Sequence, residues 1–347
     1  VTGAERRFEV PVEPATSDRL PGPRPLRWGV LGASSTVAQR AVMPAMVVSP
    51  KADLVAVASL SGHPEMEGVR VHGSYEALLA DDDVEAVYIP LPNHLHREWT
   101  ERAAAAGKHV LCEKPLASTA ADAVAMAATC ADAGVVLAEA YMTPFHPRSR
   151  ALLDEVGRGR LGPLRAARAG FTFRLRDPAN HRWDPACGGG SLLDVGVYCL
   201  APLLDVAASA PHRVSAHASL ASSGVDRTFS AMLEFPGDFT AHVWCSFETP
   251  EEQVLALAGT AAAVHIERAY TPGVDDMSFT VVGVDGEASV VDTGGADPYR
   301  GMVDHFQTVV RGGSSLRRPP SASISVLRLI DRLREAARTG ADPGEGG

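Results

Sequence analysis

The sequence predicts an α/β protein in two unlike halves, a parallel-sheet domain followed by an α+β domain on an antiparallel sheet. Three observations lead there. From Leu26 onward, short β-branched runs alternate with Ala-rich helical stretches, the pattern of βαβ units on a parallel sheet. After about residue 145 the runs lengthen to "RVSAHASLAS", "TFSAMLEF" and "FTAHVWCSFE", whose period of two marks antiparallel strands with one wet face. The chain then closes with "SISVLRLIDRLREAARTG", apolar at helical spacing and ended by Gly340.

Taken in order, residues 1–25 are rich in proline and charge and have no period, so they read as an extended arm, disordered or wrapped on a neighbouring subunit. Residues 26–145 form the first domain, with strands at 26–31, 53–58, 84–89, 109–112 and 135–139. A helix over 96–106 stops at Gly107, and one over 119–133 starts after a Ser118 cap and stops at Gly134. Residues 146–347 form the second domain.

The 347 residues are 46% hydrophobic and carry a formal net charge of -10, which lacks the basic footprint a nucleic-acid partner needs. No apolar run approaches the roughly 18–20 residues that span a bilayer, and no signal pattern opens the chain, so no membrane role and a cytoplasmic location are expected. The five cysteines are scattered without CxxC spacing and read as free thiols, with no metal site; Cys112 reads as a small buried hydrophobe.

"WGVLGASSTVAQ" places glycines between a strand and a helical stretch, where backbone amides can meet a pyrophosphate. Gly32, Ala33, Ser34, Ser35, Thr36 and Val37 are the cofactor-binding candidates, although Ser34 stands where G-x-G-x-x-G/A has its second glycine. The second strand ends in "VASLSGH". Ser59 occupies the place of the acid that grips the ribose of NAD, and Leu60 the place of the arginine that favours NADP; the balance leans to NADP. The stretch from Ser61 to Val69 is too short and too Gly/Pro-marked for a full crossover helix.

Two further segments carry polar side chains at telling spacings, "YIPLPNHLHREW" and "NHRWDPACGGGSLLDVGVYCL". If the GGG run opens a helix near Ser191, Asp194 and Tyr198 stand four residues apart on one face. With "GKHVLCEKPLA", "EAYMTPFHP" and "GPLRAARAGFTF" in the same order, the chain from about Leu26 to Gly340 resembles the Gfo/Idh/MocA oxidoreductases. The resemblance implies an N-terminal Rossmann domain, a C-terminal domain on a large open, mostly antiparallel sheet, and NAD(P) between them. It also implies a sugar-like substrate and a homodimer or homotetramer formed through that sheet.

By that resemblance Lys114 is the active-site lysine, Asp194 a substrate-orienting carboxylate and Tyr198 the proton donor or acceptor. Pro92, Asn93 and His96 match the loop beside the nicotinamide ribose, and Glu113 the acid that contacts it. Pro115 is expected to be cis. Tyr198 places the chain with dihydrodiol dehydrogenases, xylose dehydrogenases and deoxysugar 3-ketoreductases, although Thr143 and Pro144 depart from the Y-R-F-H-P of that branch. Tyr141, Asn180 and Arg182 are further substrate-binding candidates, and Arg174 and Arg176 of "FRLRD" are candidates for a sugar phosphate.

The implied reaction interconverts a secondary alcohol and a ketone on a sugar, a deoxysugar or a nucleotide-linked sugar, at C3 by analogy. Removing a hydride from CHOH requires a base for the hydroxyl proton. An ammonium about 4 Å from a phenol favours the phenolate by roughly 4 kcal/mol, about three pK units. Lysine is scarce here, only Lys51, Lys108 and Lys114, so keeping an amine in "EKP" points to proton chemistry rather than a structural cation. The rival readings are an NAD-dependent glycosidase that oxidises its substrate transiently and a non-catalytic dinucleotide sensor.

Overall fold

Residues 24–59 and 66–344 are described by the computed structural model. The arm expected over 1–25 therefore lies, but for its last two residues, outside the described residues, as does Leu60.

Six parallel strands build the first sheet: β1 (Leu26–Leu31), β2 (Ala52–Ala58), β3 (Arg70–His72), β4 (Ala86–Ile89), β5 (His109–Glu113) and β6 (Leu137–Ala140). Their order, β3-β2-β1-β4-β5-β6, reverses between β1 and β4, and ligands of such sheets bind outside the strand ends at that reversal. The sequence gives no sign of β3, because three edge residues are too few to show a period. The intervening helices are α1 (Met43–Val48), entered through a wider π turn at Ala38–Val42, α2 (Tyr75–Leu79), α3 (His96–Ala105) and α4 (Ala120–Asp132). Thr119, not Ser118, caps α4: its side chain accepts the Asp122 N–H at 3.1 Å.

The second half opens with α5 (Pro147–Gly157) and β7 (Leu164–Thr172), and continues after a long loop with α6 (Val197–Ala207). The remaining strands are β8 (Arg213–Leu220), β9 (Asp226–Phe235), β10 (Phe239–Ser246), β11 (Glu252–Gly259), β12 (Ala262–Glu267), β13 (Ser278–Gly283) and β14 (Ala288–Asp292). The eight-stranded sheet runs β14-β13-β12-β11-β7-β10-β9-β8, antiparallel except where β7 meets β10. Phe239, Ala241, Val243 and Cys245 of β10 point into the core while Thr240, His242 and Trp244 face the other way, the alternation that the sequence shows. Contrary to the sequence expectation, one helical run, Pro185–Ala207, has the length and apolarity of a bilayer span; 72% of its apolar window is buried inside the fold, where it serves as a core helix.

The last two helices, α7 (Pro298–Val310) and α8 (Pro320–Thr339), return to the first domain. Phe306 of α7 packs on Trp28 of β1 with ring centroids 5.0 Å apart. On α8, Ser323 donates to Glu139 at 2.6 Å, and Asp331 accepts the first N–H of α4 at 3.0 Å. Just beyond α7, Arg311 donates to the Glu85 carboxylate at 3.2 Å. Burial raises the Glu85 carboxyl, yet Arg311, the Arg27 amide and Arg24 outweigh it and bring it down to about 2.

A depressed carboxyl stabilises the fold above its unfolded pKa, and that contribution drains away as the pH falls through the folded value. Glu85→Gln is expected to cost about 1–3 kcal/mol in urea unfolding at pH 7, with the difference from wild type shrinking as the pH approaches about 2.

Candidate active site

A cleft of about 770 Å³ lies at the β1/β4 reversal and continues across to the inner face of the second sheet. Its first end is the turn after β1. Gly32 has a φ of +100°, and a Cβ there would stand 2.8 Å from Leu91 Cδ2, so only glycine lets the turn pass the β4 loop. Ser34, Ser35, Thr36 and Val37 line the cleft at the start of the following helix. A strand-to-helix turn of this kind suits a dinucleotide pyrophosphate, although the Ser35 N–H is donated to the Gly32 carbonyl at 3.0 Å. Ala33 is fully buried and its N–H is taken by the Ala58 carbonyl at 3.2 Å, so it supports the turn and does not line it. Ser59, at the end of β2, donates to Ser34 Oγ at 2.9 Å.

Pro92, Asn93 and Glu113 also line the cleft. Asn93 donates to the Gly188 carbonyl at 2.9 Å and so joins the β4 loop to the GGG turn of the second domain. His96 does not reach the cleft. It is fully buried, with one ring nitrogen 2.9 Å from the Pro115 carbonyl and the other 2.8 Å from that of Leu91, and it braces two cleft loops from behind. Burial lowers its pKa, while the Leu91 and Pro115 carbonyls, both of which only a ring with two N–H groups can satisfy, pull the other way. Buried Glu113 accepts from Tyr88 Oη at 2.6 Å and from the Lys114 amide at 3.0 Å; burial raises its carboxyl despite these donors.

The opposite wall begins at the GGG run. Gly190 has a φ of +111°, and a Cβ on it would stand 2.2 Å from Asp226 Oδ1. That close pass lets Asp226, at the start of β9, accept from Ser191 Oγ at 2.8 Å and from the Leu192 amide at 2.7 Å, anchoring a π turn, Leu192–Gly196, that leads into α6. Asp226 is a residue the sequence reading missed, since it lies 35 residues beyond the serine it holds.

Lys114, which follows the end of β5 and precedes Pro115 across a cis peptide bond, meets this turn. Its ammonium donates to Asp194 Oδ1 at 2.9 Å and to the Asp194 carbonyl at 2.8 Å, and Arg182 Nε donates to Asp194 Oδ2 at 2.7 Å. Burial opposes ionisation of Asp194, but Lys114 and Arg182 together hold its carboxyl well below the usual range. Both Asp194 oxygens thus serve Lys114 and Arg182. Asn180 and Tyr198 line the cleft as expected.

Tyr198 departs from the electrostatics expected of it. The Lys114 ammonium lies over the face of its ring, 5.1 Å from the centroid, and among the described residues Tyr198 Oη finds only Met142 Sδ, at 3.9 Å. Burial, then Tyr299, Glu113, Tyr141 and Asp194, push the phenol well above its ordinary value. The lysine does not produce a phenolate here because its charge is already matched by Asp194. Nor is lysine in itself a mark of chemistry in this chain: Lys108 is buried and donates to the carbonyls of Asp81 and Val84, each at 2.8 Å.

Tyr141 stands behind Tyr198, ring centroids 5.3 Å apart, outside the cleft lining and under the Arg318 guanidinium. Arg174 and Arg176 are exposed and also outside the lining. Thr143 is buried, donating to the Tyr270 carbonyl at 2.6 Å. Burial pushes the Cys112 thiol well above its normal value, which makes it inert. Among the described residues no group of acids, histidines or cysteines is placed to hold a metal ion. Lining residues without a sequence signal include Tyr299 of α7 and Met142; Gln253 had one, an amide at a buried position beside the apolar run 254–258 of its strand.

A phosphate-accepting turn at the reversal of a parallel sheet, with an amine, a carboxylate and a phenol gathered across from it, defines a dinucleotide-dependent oxidoreductase. The chain belongs to the Gfo/Idh/MocA family: residues 26–141 match its oxidoreductase domain of NAD-binding Rossmann fold, and residues 149–289 match its C-terminal domain. It is 37% identical to D-xylose 1-dehydrogenase (NADP(+)) 2 of Haloferax volcanii, over 91% of this chain and 98% of that one. It is 38% identical to the dTDP-3,4-didehydro-2,6-dideoxy-alpha-D-glucose 3-reductase of Streptomyces violaceoruber, over 90% and 96%. A solved 3-ketoreductase from Actinomadura kijaniata, in complex with NADP and TDP-benzene, superposes with a TM-score of 0.82 at 28% identity, covering 90% of this chain and 98% of that one.

Because Tyr198 is held neutral, the spectrum of wild type minus Tyr198→Phe is expected to show no tyrosinate band below about pH 10. A band titrating near neutrality would contradict the burial argument.

Proposed function

We propose that the protein interconverts a secondary alcohol and a ketone on a sugar or sugar derivative, with NADP preferred and with Lys114 and Tyr198 handling the proton. The reading rests on Lys114, which is tied to Asp194 and lies over the ring of Tyr198 inside the cleft that starts at the glycine turn. The NADP preference is supported by Ser59, which leaves no carboxylate at the end of β2 to repel a 2'-phosphate, and by the NADP of the relatives named above.

A bound nicotinamide would supply or accept the hydride; Ser34 to Val37, Pro92, Asn93 and Glu113 would hold the dinucleotide. An ammonium has three donors, and Lys114 spends two on Asp194, so one remains for the oxygen of the reacting carbon. In reduction that N–H stabilises the growing alkoxide, and the neutral Tyr198 phenol delivers the proton. Oxidation requires the phenol to lose its proton first. Asp194 orients Lys114 and shares Arg182 with the substrate side of the cleft.

A homodimer or homotetramer through the second sheet belongs to the same proposal. Its outer face exposes Met232 of β9 to 43% near one edge and Val282 and Val290 of β13 and β14 to 43% and 70% at the other, apolar side chains of the kind that partners cover.

Lys114→Ala is expected to lower kcat at least 100-fold while NADPH affinity, read by fluorescence titration, stays within about threefold. Sugar oxidation should accelerate with pH up to about 10, whereas ketone reduction stays level over the same range; an oxidation rate that plateaus near pH 7 would count against the neutral phenol. In light scattering, the double change Met232→Glu, Val282→Glu should yield monomers.

A further inference from the structure

One wall of the cleft takes no part in the proton chemistry. Glu251, Gln253 and Thr271 line it. Gln253 sits on β11 directly across from Phe171 of β7, whose ring is 5.4 Å from that of Tyr198, so this wall faces the reacting end of the cleft.

Gln253 is buried and its amide is fully engaged. Nε2 donates to Thr271 Oγ1 at 2.7 Å and to Glu251 Oε1 at 3.1 Å, while Oε1 accepts the Thr271 N–H at 3.0 Å. With both amide hydrogens spent, Gln253 holds its neighbours and has none to offer a ligand. Glu251 is different: among the described residues its second oxygen accepts nothing, and it has no cationic partner. Glu251 is exposed, and a carboxylate held on one side by Gln253 with lone pairs left over in a cleft is an acceptor for neighbouring hydroxyls.

The charges lining the cleft point the same way. Among the described residues its cations are Lys114 and Arg182, and both are bound to Asp194. His181 is kept neutral near pH 7, by burial first and then by Arg182. A diphosphate placed beside Glu251 would meet a negative charge, and the cations across the cleft already share their charge with Asp194.

We infer that Glu251, held by Gln253, which Thr271 holds in turn, is a specificity residue that accepts hydroxyl hydrogens of an uncharged sugar or polyol and disfavours sugars carrying a diphosphate. This rests on the sugar oxidoreductase reading and narrows its substrate class. A site built to hydrogen-bond a hydroxyl strongly rejects analogues that lack it.

The test is steady-state kinetics of the full chain with NADP⁺ on D-xylose, D-glucose and their deoxy analogues, with dTDP-D-glucose alongside and melting curves to verify folding. Glu251→Gln keeps the shape and removes the charge; Gln253→Leu keeps the volume and releases Glu251. Wild type should favour a free aldose over dTDP-D-glucose. Both variants should raise its KM at least about 10-fold with kcat within about threefold, the pattern of lost uniform binding. Preference for dTDP-D-glucose, or a KM unmoved in Glu251→Gln, would overturn the inference while an inactive Lys114→Ala leaves the proton chemistry standing. Conversely, an active Lys114→Ala would remove the proton chemistry and leave the KM comparison intact. If no sugar turns over, calorimetric titration of the NADP⁺ complex with the same aldoses decides, and absence of binding refutes the assignment.

Discussion

The contact between Lys114 and Asp194 is where the two halves of the molecule become one site. Lys114 belongs to the last turn of a parallel strand, and Asp194 to the first turn of the helix that fills the antiparallel sheet. Both are mostly withdrawn from water, with side-chain exposures of 13% and 11%. Burying two charges is costly, and here the cost is offset by a direct ion pair, a second donor from Arg182 and a backbone carbonyl for the ammonium. Much of the surrounding structure secures that pair: Asp226 anchors the turn that carries Asp194, Asn93 ties the two rims together, and His96 fastens the loop that carries Lys114.

With the ammonium committed in this way, the chemistry of Tyr198 is decided by burial. A cation that already serves a carboxylate exerts little net field on a phenol beyond it, while aromatic walls and nearby acids favour the uncharged form. The site is therefore built around a neutral acid next to a positively charged donor, an arrangement complementary to a carbonyl gaining electrons.

The same economy appears at the domain boundary. Both C-terminal helices cross back to the first domain, so the cleft is closed from behind by Trp28 against Phe306 and by Glu85 among three arginines. The result is a domain boundary with apolar and ionic links on one side and an open cleft on the other. Polar groups on the sheet side, above all Glu251, face into that opening without a cationic partner among the described residues.

Local chemistry determined most of the fold, and the candidate reacting residues came from the family resemblance that the local motifs carry. Alternation in β10, helix stops at Gly107 and Gly134, the turn at Gly32 and the four-residue step from Asp194 to Tyr198 are all written in neighbouring positions, and short-range sterics and periodicity are legible there. What only the tertiary structure decided was environment. His96, Tyr141 and Ala33 sit in cofactor or substrate motifs yet face away from the cleft, because carbonyls and rings distant in sequence claim them. The support from Asp226, the wall at Gln253 and the raised phenol of Tyr198 likewise arise from residues brought together across long separations, and a pKa follows the sum of those neighbours, which no local pattern records.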